Sequence, residues 1–89
     1  MVWNVQWSSS AEDELMRIYE LVDIQERPQV TDAANRIDIA LRRRPLEAGF
    51  QIDGRFRRVL IDDKIGVRYH VFEQDMSVKV LQCWYVIQA

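Results

Sequence analysis

The chain is poor in the residues that usually carry cross-links, metals and breaks. Its 89 residues include one cysteine, one histidine, three glycines and two prolines. A lone Cys83 excludes an intramolecular disulfide. With His70 the only histidine, no Cys/His cluster for zinc can be assembled. The expectation is a protein of a reducing cytoplasm, with no metal and no cofactor. Scarce Gly and Pro beside 48% hydrophobic residues exclude a disordered or low-complexity chain. No apolar run approaches the roughly 20 residues that span a bilayer, so no membrane partner is expected. The opening MVWNVQW has no basic flank before an apolar run, so no signal peptide is expected.

What remains is a chain for one domain, residues 1–89, with a core rich in aromatics: three Trp, three Tyr and three Phe. The net charge of −2 is unevenly spread. Nine basic and five acidic residues lie between Arg36 and Arg68, a local +4 that leaves −6 for the rest. The total argues against indiscriminate nucleic-acid binding, while the local excess permits one basic face.

Val2 to Trp7 alternates, with Trp3, Val5 and Trp7 on one side, and reads as a strand. Ser9-Ser10-Ala11-Glu12 fits a capping box. Ala11, Leu15, Ile18, Tyr19 and Val22 then recur at helical spacing, predicting a helix over about 10–23. Pro28 suits the first turn of a second helix, whose stripe is Val30, Ala33, Ala34, Ile37, Ala40 and Leu41. Small alanines allow close approach, so an antiparallel helical hairpin is expected. Pro45 ends it after Arg42-Arg43-Arg44, cations that suit a helix C-terminus. Residues 46–54 read as a connecting loop. Strands follow at about 55–61, 65–72 and 77–87, separated by Asp62-Asp63-Lys64 and Glu73-Gln74-Asp75. The expected fold is α+β in the order β-α-α-β-β-β: a mainly antiparallel, four-stranded curved sheet with both helices on one face and the other partly open.

The stretch GRFRRVLIDDKIGVRYHV raises a question of chemistry. Arg55, Arg57, Arg58 and Arg68, with Lys64 and His70, interrupt what otherwise reads as a hairpin. They suit a solvated face, a surface for a polyanion, or a grip on an acidic partner segment. Glu12, Asp13 and Glu14 are explained by the helix start they occupy.

In their order, WSSSAEDELMRIY, AANRIDIALRRRPLEAG and RRVL…GVRYHVFEQDMSVKVLQCW resemble the RelE/ParE superfamily of small toxins from bacterial type II toxin–antitoxin systems, the plasmid-stabilisation-like proteins. The similarity runs over essentially the whole chain. It implies a curved sheet flanked by a helical hairpin, and a cognate antitoxin that wraps the toxin. RelE-like members enter the ribosome and cut messenger RNA; ParE-like members inhibit DNA gyrase.

Carried over by residue, Arg57 or Arg58 stands where the family has a basic residue in a strand. Gly66 stands where it often has an arginine, and Arg68 lies two residues on. Gln82 replaces another basic residue, and Tyr85-Val86 replaces a His-Arg pair. A nuclease would draw on Arg57, Arg58, Arg68 and Tyr85. A target- or antitoxin-binding surface would draw on Arg55, Arg57, Arg58, Arg68, His70 and Trp84. With the nuclease positions incomplete, the reading leans to a ParE-like gyrase inhibitor or a weakened toxin. The alternatives are a RelE-like ribosome-dependent endoribonuclease and a non-toxic interaction module. A homodimer that buries the exposed apolar face also stays open.

Overall fold

The computed structural model describes residues 2–53 and 57–87. Its elements in chain order are β1 (Asn4–Trp7), α1 (Ser9–Leu21), a 3-10 turn (Ile24–Glu26), α2 (Arg27–Arg43), the single turn α3 (Pro45–Ala48), β2 (Phe50–Asp53), β3 (Arg57–Asp62), β4 (Ile65–Phe72) and β5 (Ser77–Tyr85).

The sheet has five strands in the order β1-β5-β4-β3-β2. β1 runs parallel to β5 and the other neighbours are antiparallel. The α+β class and the helical hairpin stand as expected, but the strand count is corrected from four to five. Residues 46–54 are not a plain loop. Pro45 starts α3 where it was expected only to stop a helix, and Phe50–Asp53 pairs with β3 as an edge strand.

The cap of α1 also moves by one residue. Ser8, not Ser9, is the N-cap: its Oγ accepts from Ala11 N at 3.1 Å and donates to the Leu81 carbonyl at 3.2 Å. One hydroxyl thus ends β1, starts α1 and holds β5.

The core lies between the hairpin and one sheet face. Ala11 and Ile18 of α1, and Val30, Ala33, Ile37 and Leu41 of α2, are buried against Val5, Ile65, Val67, Tyr69, Val78, Val80 and Cys83. Trp7, half-buried, is tied to α2 by Nε1 donating to Asp38 Oδ1 at 3.3 Å. Arg36 forks onto Asp62 at 2.8 Å, fixing α2 to the β3–β4 turn, and this hydrogen bond raises the arginine's pKa.

The β3–β4 hairpin closes on Asp63, whose φ of 52° places it in the left-handed region that Asp tolerates better than most residues. Between Arg68 and Tyr69 the β4–β5 register slips. Arg68 faces Gln82 but Tyr69 faces Val80, which leaves Leu81 as a bulge. The slip reverses the face of everything after it on β5.

Candidate functional site

All the described helical elements lie on one side, so the other sheet face is uncovered. Strand alternation and register place Val59 and Ile61 of β3 there, with Gly66, Arg68, His70 and Phe72 of β4 and Lys79, Gln82 and Trp84 of β5. Arg57 joins them by register, opposite His70, and Phe50 of β2 lies opposite Val59. Phe50, Ile61 and Phe72 are exposed. The His70 and Phe72 rings lie 4.7 Å apart.

The centre of this face is an aromatic lid on a glycine. A Cβ at Gly66 would come within 2.5 Å of Trp84 Cε2 and Nε1, and within 2.7 Å of Cζ2. The indole therefore lies across the position from which a side chain at 66 would project. Trp84 reaches this face only because of the Leu81 bulge. Arg68 lies two residues along the strand and is half-buried. Its Nε is buried and has no hydrogen-bond partner among the described residues.

The residues singled out from the sequence do not all converge. Arg68, His70 and Trp84 share the open face. Arg58 does not: it lies opposite Tyr69, on the helix side. Its Nη2 donates to the Leu46 carbonyl, and its guanidinium also lies against the Tyr69 hydroxyl. That hydroxyl donates to the Pro45 carbonyl at 2.6 Å. Burial raises the Tyr69 pKa, with Arg58 opposing the shift. Arg58 and Tyr69 thus clamp α3 onto β3 and β4. Tyr85 faces the helix side as well, with its hydroxyl 3.4 Å from Glu26 Oε2, and Lys64 Nζ lies 3.5 Å from the same oxygen. The expectation that Arg58 joins Arg57 and Arg68 in one nuclease or binding surface is therefore corrected: it lies on the helix side. Arg57 is placed by its backbone alone, and Arg55 lies outside the described residues.

Cys83 is buried, with its thiol pushed up to about 12, first by burial and then by Glu14. Glu14 Oε1 accepts from the Cys83 amide at 3.1 Å, so that carboxylate holds the strand. Of the arginine run, Arg42 is paired with Asp38 at 2.7 Å while Arg43 and Arg44 are exposed. Among the described residues no group of three or more His, Cys, Asp or Glu is placed to hold a metal. No described helix is long and apolar enough to cross a membrane.

A second surface went unnoticed in the sequence. α1 and α2 leave a groove of about 630 Å³, lined mainly by Trp7, Leu15, Met16, Tyr19, Val30 and Ala34, with Glu12 and Asp38 among its polar residues. Tyr19 belongs to the apolar stripe of α1, yet it is 37% exposed and lines this groove with the exposed Met16. The available signal was the width of the α1 stripe, in which positions 15, 18, 19 and 22 are more apolar than one hairpin partner can cover.

A five-stranded sheet under a helical hairpin, with one parallel edge strand and an open antiparallel face, is the RelE/ParE-like toxin fold. The chain superimposes on the RelBE2 toxin–antitoxin complex from Mycobacterium tuberculosis with a TM-score of 0.77 at 15% identity, covering 97% of this chain and 100% of that one. It matches the chromosomal ParDE toxin–antitoxin system of P. aeruginosa with a TM-score of 0.73 at 15% identity, covering 96% and 97%. The isolated E. coli RelE toxin follows at 0.62 and 11%, covering 98% and 87%. No protein-family model and no curated protein matches the sequence. At these identities the likeness establishes the fold.

Proposed function

We propose that this chain is the toxin-like component of a type II toxin–antitoxin pair, acting in the bacterial cytoplasm as a ParE-like inhibitor of DNA gyrase, or as a weakened form of one. A cognate antitoxin holds it inactive, and its release inhibits growth. The observation that carries the reading is the Trp84 indole lying across Gly66. Cleavage of RNA without a metal needs several cations converging on one phosphate, with a group to move the proton. Here the centre of the open face is filled by an indole, Arg58 is engaged with Leu46 and Tyr69, and Tyr85 is on the opposite side. A surface of this kind suits binding better than catalysis.

The α1–α2 groove supports the antitoxin half of the reading. An apolar groove beside exposed Met16 and Tyr19 fits an amphipathic segment of a partner. The open face, with Arg57, Arg68, His70 and Trp84, is left to the target.

The test uses purified chain in two assays. The reading expects inhibition of gyrase supercoiling at near-stoichiometric amounts, with no cleavage of messenger RNA on programmed ribosomes. Cleavage that Arg57→Ala/Arg68→Ala abolishes would replace it with the RelE-like nuclease. Inactivity in both assays would leave a non-toxic interaction module.

A further inference from the structure

We infer that Glu14 is a positioning residue for the open face: from the helix side it holds the bulge of β5, and the bulge decides which of Cys83 and Trp84 that face displays. The inference goes beyond the proposed binding role and rests on it in one respect, that Trp84 serves the target.

The edge of β5 is the first ground. β1 pairs with β5 only as far as Val80, opposite Trp7. There the chain turns into α1, and side chains take over from the strand. Ser8 N donates to the Val80 carbonyl at 2.8 Å, and Ser8 Oγ donates to the Leu81 carbonyl at 3.2 Å. Successive carbonyls of a regular strand point to opposite edges, so two of them held by one residue mark the extra residue of a bulge. On the other side of Leu81, Glu14 Oε1 accepts from the Cys83 amide at 3.1 Å. The bulge is thus gripped from both ends.

The second ground is Glu14 itself. The helix dipole accounts for Glu12, the acid of the first turn, but the Glu14 oxygen lies on β5. Glu14 is half-buried and forms no ion pair among the described residues. Its hydrogen bond to the strand is what its position supplies.

Register gives the consequence. Arg68 faces Gln82 and Tyr69 faces Val80, with Leu81 between. If the bulge were erased while buried Val78 and Val80 stayed in place, Gly66 would face Cys83 and Ile65 would face Trp84. A one-residue shift turns each side chain to the other face. The thiol would then stand on the open face, and the indole would turn towards the helices. Patterning opposes this only in part. The slipped strand puts apolar Trp84 inside, but it also buries the amide of Gln82. The slipped register is therefore a minor state, and the bonds from Ser8 and Glu14 set its population.

The test is alkylation of Cys83 by iodoacetamide on the intact chain in native buffer, followed by NMR of the product. Glu14→Ala should speed alkylation about tenfold, the scale of one hydrogen bond to a charged group. Ser8→Ala, which releases the Leu81 carbonyl, should speed it in the same sense. Glu14→Gln keeps an acceptor and should stay near the wild-type rate. It also controls for charge, because the Glu14 carboxylate helps to hold the thiol up. Ile37→Val, a core truncation on α2, controls for a general loss of stability. The alkylated chain should remain folded, with the contact between the Trp84 indole and Gly66 lost. A rise in Glu14→Ala no greater than in Ile37→Val, an equal rise in Glu14→Gln, or an unfolded product would each overturn the inference. In the supercoiling assay Glu14→Ala should inhibit less than Glu14→Gln, and equal inhibition would count against a positioning role. A wild-type chain without effect on gyrase fails the proposed function alone, because the alkylation and NMR readouts do not depend on it.

Discussion

Trp84 and Gly66 form one unit on the open face: the indole occupies the space that any side chain at 66 would need, with the nearest approach 2.5 Å. The pair gives the open face an aromatic centre. It also accounts for a glycine at a position where the resembling family often has an arginine.

Gly66→Ala should therefore destabilise the fold by about 1–3 kcal/mol through overpacking against the indole. In a Trp84→Ala background the same change should cost much less. Urea unfolding of the four proteins in the cycle checks the coupling, and additive costs would mean that the two residues do not share space.

Tyr69 and Gly49 make a second tight junction. A Cβ at Gly49 would lie 2.3 Å from the Val59 carbonyl oxygen and 2.6 Å from the Tyr69 hydroxyl. Backbone cannot swing aside as an indole can, so Gly49→Ala should cost more than Gly66→Ala. Tyr69→Phe leaves the Pro45 carbonyl without its 2.6 Å donor and should cost about 1–2 kcal/mol. Thermal melting of both variants tests the ranking.

Ser8→Ala should cost about 1 kcal/mol for the lost cap alone. The bond from Ser8 Oγ to the Leu81 carbonyl is lost with it. Ser9→Ala, with no capping role, should be close to neutral. Equal effects of the two changes would contradict the cap assignment.

Stability should fall in alkali. Burial raises the Cys83 thiol from the usual 9.0 to about 12, so the folded protein holds this proton where the unfolded chain releases it. The contribution is full below pH 9 and is lost as the pH climbs towards 12. Tyr69, raised for the same reason, adds in the same direction. Urea titrations from pH 8 upward should show a falling midpoint, and Cys83→Ser should flatten part of the slope. The native thiol should also resist aromatic disulfide reagents until the chain unfolds.

Much of the fold was legible because periodicity marks what the core covers. The α2 stripe and the alternation of Ile65, Val67 and Tyr69 identify their elements unaided, and the observed burial follows them. β2 was missed because four residues after a glycine carry too short a pattern, and its pairing with β3 is a long-range fact. α3 was missed because Pro45 stops one helix and starts the next turn.

The site was less legible for a different reason. Alternation separates Arg57 from Arg58 correctly but does not say which of them meets the helices. Arg58 tolerates the covered side because its guanidinium finds Leu46 and Tyr69. The Leu81 bulge reverses β5 midway, and no local residue signals it. Without it, Tyr85 would join Arg68 and Trp84 would turn inward.

The most direct test of the central claim is controlled expression in bacteria, with growth, DNA-damage signalling and messenger integrity followed together, beside Arg57→Ala/Arg68→Ala. The account predicts arrest with damage signalling and intact messages, relieved in the variant. Messages cut during arrest and spared in the variant would contradict it, because the open face would then be a nuclease site despite the indole on Gly66.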